Sequence, residues 1–565
     1  MITNELPASD IASYDYLIVG GGTAGCVIAS RLAEYLPHKR ILLIEAGPSD
    51  FMDNRILELK KWLNLIGGDL DFDYTTTEQP MGNSHIRHSR AKVLGGCSSH
   101  NTMISFSPFA YDMEIWQSLG AKGWTFDEMA RIVTQRLRNT IQTVDERHQS
   151  QLCRDWLDSC SQAMKIPIIQ DFNKHINNTG GLTKSCGFLP IAYNPDNGHR
   201  SSASVAYIHP LLRGDEKKPN LTILTNAWVS KINVSKGTAS CTGVDVKLQN
   251  GQHYSLAARA ETILCAGAID TPRLMLHSGL GPTSDLEKLS IPVVQDLPGV
   301  GQNLQDHPET LIMWELKKPV PRQTTMDTDA AIFLRREAPN AAATASPQSP
   351  FNPRNLPDDE VADVMIHCYQ GAFTFNTDRL GYKAPPEGYA FCMNPNIPRP
   401  RSRGRLYLTS NDPSIKPALD FQYFTDKGGY DAATFVYCMR MARKIAQQSP
   451  FKDWIKCEVA PGPELNTDEE LSEYVRRVAH TVYHPSGTTK MGDLAKDDMA
   501  VCDPEMRVKH IEALRICDAG LFPALTSVNP MVTVLCVAEI GAEMVARQAG
   551  WDGKTGVEQV LDHKL

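Results

Sequence analysis

The stretch YDYLIVGGGTAGCVIASRLAEYLPHKRILLIEAG, residues 14–47, decides the predicted fold. A short apolar run leads into Gly20, Gly22 and Gly25, which fit the pattern G-x-G-x-x-G. Apolar residues at helical spacing follow, and a second apolar run ends in Glu45. A strand, a glycine turn, a helix, a second strand and an acid, in this order, are the fingerprint of a dinucleotide-binding unit.

The physical chemistry of this unit predicts its ligand. The glycines let the backbone approach a pyrophosphate, and the helix N-terminus supplies amide donors and a positive dipole. Glu45 can accept hydrogen bonds from a ribose hydroxyl, which favours a free ribose, as in NAD or FAD, over NADP. The predicted cofactor contacts in this unit are Gly20, Gly22, Thr23, Ala24, Gly25 and Glu45.

Length and composition indicate a globular protein of several units. The chain has 565 residues, of which 42% are hydrophobic and 22% are charged. These values are ordinary for a folded, water-exposed protein and exclude a disordered or collagen-like chain. A net charge of −8 argues against a general nucleic-acid coat, because neutralising phosphates needs a basic face.

Nothing in the sequence predicts a membrane or metal partner. The 14 cysteines form no CxxC pair or other zinc-ligand spacing, as expected for reduced thiols inside a cell. The first residues lack the features of a secretory signal, and the apolar stretch 528–545 contains Glu539 and Glu543. We therefore expect a cytoplasmic protein. The C-terminal His563-Lys564-Leu565 loosely resembles a peroxisomal address and leaves that compartment open.

Four further segments carry recognisable patterns. In residues 87–108, a small-residue turn around Gly95 and Gly96 could bring backbone close to a flat ring system. Residues 261–282 predict a buried strand, then a helix that opens at Pro272 and ends at Gly279. The other two segments are 481–492 and 514–545, and the latter predicts a buried helix after Asn529-Pro530. By contrast, the proline-rich residues 338–357 predict a loop or insertion.

Taken in order, five motifs resemble the glucose–methanol–choline (GMC) oxidoreductase family of flavoproteins. They are GGGTAG with Glu45, the block 91–101, GAIDTPRLMLHSGLGP, PGVGQNLQDHP, and the pair His484 and Asn529. The resemblance implies FAD as the cofactor. It also implies an α/β fold in which a Rossmann-like FAD-binding domain is interleaved with an α+β substrate domain built on an antiparallel sheet.

The resemblance also implies where the chain divides. We expect the FAD-binding domain to comprise residues 11–50, 84–115, 195–315 and 480–550. The substrate-binding domain would comprise residues 51–83, 116–194 and 316–479, and residues 551–565 would form a C-terminal tail. The family further suggests a homodimer.

Further cofactor contacts follow from the same resemblance. They are Gly95, Gly96, His100, Asn101, Val229, Asp518, Ala519 and Pro530. The segment HSRAKVLGGCSSHN is similar to the block in which choline-oxidising members carry a histidine bonded covalently to the flavin, and His100 is that residue here. A noncovalent flavin beside His100 is the alternative.

The resemblance assigns the catalytic roles as follows. His484, in VYHPSG, would take the hydroxyl proton of an alcohol, because an imidazole titrates near neutral pH. Asn529 would act as a hydrogen-bond partner, since an amide cannot take a proton. His367 would hold the alkoxide, and Thr102 falls where choline-oxidising members have a serine.

Three residues match the site that binds the cationic head group of choline in such members. Glu309 would supply the negative charge, while Trp62 and Phe373 would supply aromatic faces. Tyr483, beside His484, could supply a further aromatic wall. The sequence departs from the pattern at one place, where Asp327 and Thr328 replace a tryptophan pair. One wall is therefore polar or comes from elsewhere, such as residues 338–357. Asp327 could add attraction for a cation, or admit a different polar amino alcohol.

Three functions remain open at this point. The first is oxidation of choline to betaine aldehyde and then to glycine betaine, with oxygen reduced to hydrogen peroxide. The second is oxidation of another primary alcohol or amino alcohol, by an oxidase or by a dehydrogenase that passes electrons to a quinone. The third is a non-redox flavoprotein, such as a lyase or a binding scaffold.

Overall fold

Two eight-stranded sheets organise the molecule. The computed structural model describes residues 2–6, 14–235, 237–336 and 361–553. The proline-rich insertion predicted at 338–357, most of the predicted C-terminal tail and the final tripeptide lie outside the described residues. In the described ranges, no helix is long and apolar enough to cross a membrane.

The first sheet is built around the glycine turn. Its strands lie in the order Ile2–Thr3, Leu221–Leu224, Ile41–Ile44, Tyr14–Val19, His253–Leu264, Cys241–Leu248 and Ala227–Val234, and Leu514–Ile516 also pairs with His253–Leu264. The strands from Ile2–Thr3 to His253–Leu264 run parallel, with Leu17 opposite Leu42, and the last two pairings are antiparallel. The parallel strands therefore end at one edge, where doubly wound sheets bind their ligands.

One long helix packs on this sheet, and a second long helix packs on the first. Thr23–Tyr35 begins directly after the glycine turn, and Met531–Gln548 packs against it. The buried Arg31 guanidinium on the first helix bonds the buried Glu539 carboxylate on the second, with nitrogen and oxygen 2.9 Å apart. A buried charge pair of this kind fixes how the two helices meet.

The helix predicted to open at Pro272 begins earlier, at Gly267, and ends at His277. Proline inside a helix removes one backbone hydrogen bond, so a proline usually lies in the first turn. The sequence therefore predicted that the helix starts at Pro272. Here the carbonyl that loses its bond, on Ala268, accepts one from the Thr488 hydroxyl at 2.7 Å. A residue more than 200 positions away thus makes the internal proline tolerable, and no local pattern could reveal it.

The second sheet is antiparallel and is flanked by helices. Its strands lie in the order Ile455–Ala460, Ile312–Leu316, Ala390–Asn396, Val364–Tyr369, Ala330–Leu334 and Ser185–Phe188, and the short strands Pro308–Glu309 and His480–Thr481 join at one side. Helices Gln151–Met164 and Tyr430–Ala446 pack on this sheet, and Asp468–Val478 packs on the latter. The predicted class, a Rossmann-like unit combined with an α+β unit on an antiparallel sheet, is confirmed.

The remaining elements are short. Further helices are Asn54–Leu57, Ala110–Ser118, Phe126–Gln135, Phe172–Thr179, Ala203–Tyr207, His209–Arg213 and Thr283–Lys288. Single 3-10 turns are Leu59–Leu65, Gly96–Ser99, Glu146–His148, Asp378–Leu380, Phe451–Asp453 and Ala519–Leu521. Small ladders join Tyr74–Thr75 to Arg87–His88, Leu280–Gly281 to Gln295–Asp296, Arg405–Tyr407 to Ala418–Asp420, and Pro190–Asn194 to Ile141–Thr143 and His199–Arg200.

The predicted domain boundaries stay a prediction. The strands Pro308–Glu309 and His480–Thr481 belong to the antiparallel sheet, although both segments were predicted within the FAD-binding domain. The strand Ile312–Leu316 also belongs to this sheet and crosses the predicted boundary at 315. These crossings bring residues of both predicted units to one place, which is the cavity described next.

Candidate active site

One large cavity lies at the edge where the parallel strands end. It encloses about 2100 Å³ of empty space, its solvent-open mouth included. Its wall contains residues that end the parallel strands, such as Val19 and Ile44, and residues of the antiparallel sheet, such as Glu309 and Tyr369. A cavity shared in this way can hold a dinucleotide against one sheet and a small molecule against the other.

Nearly all of the predicted site residues line this cavity. Those that do are Gly20, Gly22, Thr23, Ala24, Glu45, Trp62, Gly96, His100, Asn101, Thr102, Val229, Glu309, His367, Phe373, Tyr483, His484, Asp518, Ala519, Asn529 and Pro530. Residues from every segment that the sequence singled out therefore meet at one site.

Two predicted cofactor contacts, Gly25 and Gly95, are not among the residues that line the cavity, so their contact with a cofactor stays a prediction. A Cβ at Gly25 would lie 1.9 Å from the Gly20 carbonyl oxygen, so this glycine allows the helix to pack against the turn. Gly95 has a φ of +88°, a conformation that residues with a side chain rarely adopt. Both glycines shape the backbone behind the wall.

Glu45 and Asp518 are anchored acids at the glycine-turn end of the cavity. Glu45 accepts hydrogen bonds from the Gly21 and Gly47 amides, at 2.8 and 2.7 Å, and burial raises its pKa to about 7. Asp518 accepts bonds from the Thr271 hydroxyl at 2.6 Å and from the Gly267 amide at 2.9 Å. Each acid thus ties a turn to a neighbouring element and keeps the backbone amides of that turn in place.

His100 follows the 3-10 turn Gly96–Ser99 in the wall of the same cavity. Its Nδ1 lies 3.4 Å from the Ser89 hydroxyl, while its Nε2 is buried and has no hydrogen-bond partner among the described residues. Burial lowers the pKa of His100, so the ring is neutral. An orphaned buried ring nitrogen is costly unless a ligand engages it, so this atom fits a bound group such as a flavin.

The loop side of the cavity, formed by His484 and Asn529 with His307 in contact with His484, has a defined proton arrangement. His307 Nε2 lies 2.9 Å from the carbonyl oxygens of Pro398 and Thr526, which can only accept, so this nitrogen carries the hydrogen. Burial lowers the pKa of His307 to about 4, so the ring is neutral and its Nδ1 is an acceptor.

The arrangement of His307 fixes that of His484. The two Nδ1 atoms are 2.8 Å apart, so His484 must donate from Nδ1 and keep a lone pair on Nε2. The Asn529 amide nitrogen lies 3.5 Å from that Nε2. Burial is the main cause that lowers the pKa of His484 well below its usual value. The chain therefore presents a neutral imidazole whose basic nitrogen faces Asn529 in the cavity wall.

Two buried carboxylates fix the backbone around His484 and Asn529. The His484 amide donates to the buried Asp306 carboxylate at 2.9 Å, and the Tyr423 hydroxyl donates to the same carboxylate at 2.5 Å. Asp112 accepts from the Ser527 amide at 2.7 Å and from its hydroxyl at 2.6 Å, which fixes the segment that carries Asn529.

The sheet side of the cavity, formed by Glu309 and His367, is polar but poorly partnered. Neither ring nitrogen of the buried His367 has a hydrogen-bond partner among the described residues, and burial lowers its pKa to about 3. Glu309 accepts one bond, from the Asn394 amide at 3.2 Å, and burial raises its pKa to about 8. Unsatisfied groups of this kind mark a place where a polar ligand binds.

Aromatic side chains complete the wall beside Glu309. Phe373 stacks on Tyr369, with ring centroids 5.0 Å apart, and Trp62 donates its indole N–H to the Met326 carbonyl at 3.3 Å. Asp327, which was predicted as a possible attraction for a cation, is exposed and does not line the cavity. Its φ of +68° lies in the left-handed region, and its effect on a cationic ligand stays a prediction.

Sequence reasoning missed three residues here: His307, Tyr369 and Asn394. A signal existed for Tyr369, because it follows His367 by two positions in a strand and must share its face. His307 was visible only as part of PGVGQNLQDHP. No local signal marked Asn394, which lies opposite His367 in the ladder.

The fold and this site define an FAD-dependent oxidoreductase that acts on CH–OH donors. Two models of the GMC oxidoreductase family match the chain, the N-terminal one over residues 14–309 and the C-terminal one over residues 400–538. The chain belongs to the GMC oxidoreductase family.

Known relatives cover almost the whole chain. A choline oxidase from Arthrobacter globiformis is 37% identical over 548 residues, 94% of either chain. An oxygen-dependent choline dehydrogenase from Staphylococcus haemolyticus is 34% identical over 553 residues, 94% of this chain and 93% of that one. Among solved structures, pyridoxine 4-oxidase from Mesorbium loti matches with a TM-score of 0.81 at 24% identity, covering 95% of this chain and 99% of that one.

Proposed function

We propose that this protein oxidises choline to betaine aldehyde and then to glycine betaine, with oxygen as the electron acceptor. The observation that carries the proposal is the buried Glu309 carboxyl group in the wall of the cavity that also holds His484 and Asn529. A buried carboxylate is costly without a cation, and a quaternary ammonium is the cation that aromatic walls also bind. The similarity to a choline oxidase along 94% of the chain supports the same substrate.

The loop side supplies the base for the first step. His484 Nε2 takes the hydroxyl proton of the alcohol, because this nitrogen already carries the lone pair and the ring is neutral. The Asn529 amide donates to the developing alkoxide or orients the alcohol. Gly20, Thr23 and His100 lie in the part of the wall that would hold FAD, and the cofactor would supply the acceptor for the hydride of the carbinol carbon, with oxygen taking the two electrons as hydrogen peroxide.

The sheet side stabilises the charges of the substrate. His367 has a ring N–H without a partner, so it can donate to the alkoxide, and the Thr102 hydroxyl lines the same cavity. Glu309 binds the ammonium group, and Trp62, Phe373 and Tyr483 contact its methyl groups, since such a cation has no N–H to donate. The two ends of the substrate are thus held by different residues.

The same residues can act a second time. The hydrate of betaine aldehyde is a geminal diol, so it again offers a hydroxyl proton and a C–H bond at one carbon. His484 must have released the first proton before it can accept the second. The cationic head group does not change between the two steps, so Glu309 can hold the intermediate in place.

The substrate proposal is tested with purified protein and choline. We expect flavin bleaching without oxygen and hydrogen peroxide formation with it. The neutral isostere 3,3-dimethylbutan-1-ol should be a much poorer substrate. If a neutral alcohol outperforms choline by about tenfold, equal to about 1.4 kcal/mol of transition-state binding, the cationic substrate is wrong. Bleaching by choline that needs a quinone instead of oxygen for turnover would make the protein a dehydrogenase.

We also infer that FAD is bonded covalently to His100 Nε2, the buried ring nitrogen without a partner. Acid precipitation should leave the yellow colour with the protein, and the variant His100→Ala should release it to the supernatant. Colour that is released from the unmodified protein would show a noncovalent cofactor.

The family also suggests a homodimer, which light scattering on the holoenzyme would detect as twice the chain mass.

A further inference from the structure

We propose that Asn394, which does not line the cavity, is the positioning residue that gives the site its selectivity for a cationic substrate. It does so by holding the Glu309 carboxylate in place through the hydrogen bond from its side-chain amide. This inference rests on the proposed function and deepens it, because it concerns how the same site recognises the charge of its substrate.

The geometry places Asn394 between the two ligand-binding groups of the sheet side. In the antiparallel ladder, Asn394 lies directly opposite His367, and Glu309 pairs with Asn396 on the same strand. The Asn394 amide nitrogen lies 3.2 Å from Glu309 Oε1, and the side chain of Asn394 is fully buried. Among the described residues, the side chain that donates a hydrogen bond to the Glu309 carboxyl group is that of Asn394. No ion pair with Glu309 is found among them.

Burial explains why one hydrogen bond matters so much. Glu309 is 3% exposed, and burial raises its pKa, while the Asn394 amide lowers it. An amide N–H can donate to a carboxylate but receives nothing from it, so the bond favours the ionised form. A cation binds only that form. Removing the bond should therefore leave more of the carboxyl group neutral and free to rotate.

The neighbouring titratable groups do not replace Asn394. On its own segment, Glu309 faces Asp306, whose negative charge raises the pKa of Glu309 further. On the surrounding elements, burial raises the pKa values of Tyr369, Tyr483 and Cys392, so all three are neutral near pH 8. The paired strand contributes His480, whose pKa falls to about 4 on burial, so it is neutral as well. None of these groups supplies a positive charge.

The test compares Asn394→Leu with the unmodified holoenzyme. We measure kcat/KM for choline and for 3,3-dimethylbutan-1-ol, together with calorimetric binding of tetramethylammonium, which cannot be oxidised. In the variant, selectivity for choline over the neutral alcohol should fall by about 10-fold or more, the worth of a hydrogen bond to a charged group. Tetramethylammonium should bind more weakly by a similar factor, while kcat for the neutral alcohol should hardly change.

The pH dependence gives a readout that general damage to the fold would not produce. For the unmodified protein, kcat/KM for choline should rise with pH through about 8, where Glu309 ionises. In Asn394→Leu this inflection should move to higher pH. The neutral alcohol should show no such inflection in either protein, because Glu309 does not contact a charge there.

Two controls separate this role from simple loss of an amide. Asn396 pairs with Glu309 through the ladder, but its buried side-chain amide makes no hydrogen bond to the Glu309 carboxyl group among the described residues, so Asn396→Leu should retain selectivity. In a Glu309→Gln background, adding Asn394→Leu should cause no further loss of selectivity.

The possible results distinguish the inference from the proposed function. If the unmodified protein does not prefer choline over its neutral isostere, the cationic substrate itself is wrong. If the unmodified protein prefers choline and Asn394→Leu keeps both that preference and the pH inflection, the function stands and the role of Asn394 is refuted.

Discussion

The loop side and the sheet side of the cavity differ in how many of their hydrogen bonds are already made. On the loop side, His307 and His484 share a 2.8 Å bond, and His307 Nε2 contacts two carbonyl oxygens. On the sheet side, His367 has no hydrogen-bond partner on either ring nitrogen among the described residues, and Glu309 has one. The base is thus fixed before a substrate arrives, whereas the groups that bind the substrate become satisfied only by the substrate.

This difference has a physical basis in the two tasks. A base must present one chosen nitrogen, so its tautomer has to be set by the protein. Groups that recognise a substrate gain most selectivity when a wrong ligand would leave them buried and unpaired. Three experiments probe this comparison and a fourth probes the frame around the cavity, from the largest expected effect to the smallest.

Removing the base should have the largest effect. In His484→Ala, kcat/KM for choline should fall by a factor of about 100 to 10,000, the usual worth of general base catalysis. Flavin content should be unchanged, and added imidazole should restore part of the rate. Stopped-flow bleaching without oxygen measures the step directly. A variant that bleaches at the original rate would show that another group takes the proton.

Removing the negative charge of the sheet side should have the next largest effect. In Glu309→Gln, kcat/KM for choline should fall by about 30-fold, since a desolvated cation contact is worth about 2 kcal/mol. In this variant the rise of kcat/KM with pH through about 8 should disappear, because the carboxyl group that ionises there is gone. Steady-state rates with choline and with 3,3-dimethylbutan-1-ol provide the measurement. Equal losses for both alcohols would contradict the assigned role.

Removing the acceptor that fixes the tautomer of His484 should have a smaller effect on the rate. In His307→Leu, His484 Nδ1 loses its acceptor, so kcat should fall by about 10-fold, or about 1.4 kcal/mol. The Nδ1 acceptor of the neutral His307 stabilises the protonated form of His484, so its loss should move the acidic limb of the rate profile to lower pH. His307→Gln, whose amide can still accept and donate, should behave more like the unmodified protein. An unchanged pH profile in His307→Leu would refute the role of His307.

The smallest effect concerns the frame around the cavity and not its two sides. Thr488→Val removes the hydroxyl that satisfies the Ala268 carbonyl beside Pro272, so the thermal midpoint should fall by an amount that corresponds to about 1 kcal/mol. The neighbouring Thr489 hydroxyl is buried without a partner among the described residues, so Thr489→Val is the matched control and should not lower the midpoint. Equal shifts in both variants would show that the bond to Ala268 is not the cause.

The Rossmann unit and the cavity residues differ in how the sequence predicted them. The Rossmann unit could be predicted because glycines, apolar runs and Glu45 are contiguous, and each has a local reason. His484, Asn529, His367 and Glu309 were predicted from family motifs, and the structure brings all four to one cavity.

The unpredicted parts depend on distant contacts. Asn394 contacts Glu309 across 85 positions of chain, and His307 contacts His484 across 177. The helix start before Pro272 depends on Thr488 in the same way. Asp327 is not among the residues that line the cavity, and no local pattern indicates this. Hydrogen bonds between remote residues are what the structure adds.

Mixing the holoenzyme with choline in the absence of oxygen, while the flavin absorption is followed, tests the central claim most directly. We predict rapid bleaching with choline, far slower bleaching with the neutral isostere, and almost none with choline in His484→Ala. A flavin that stays oxidised with choline but bleaches readily with another alcohol would contradict the proposed function.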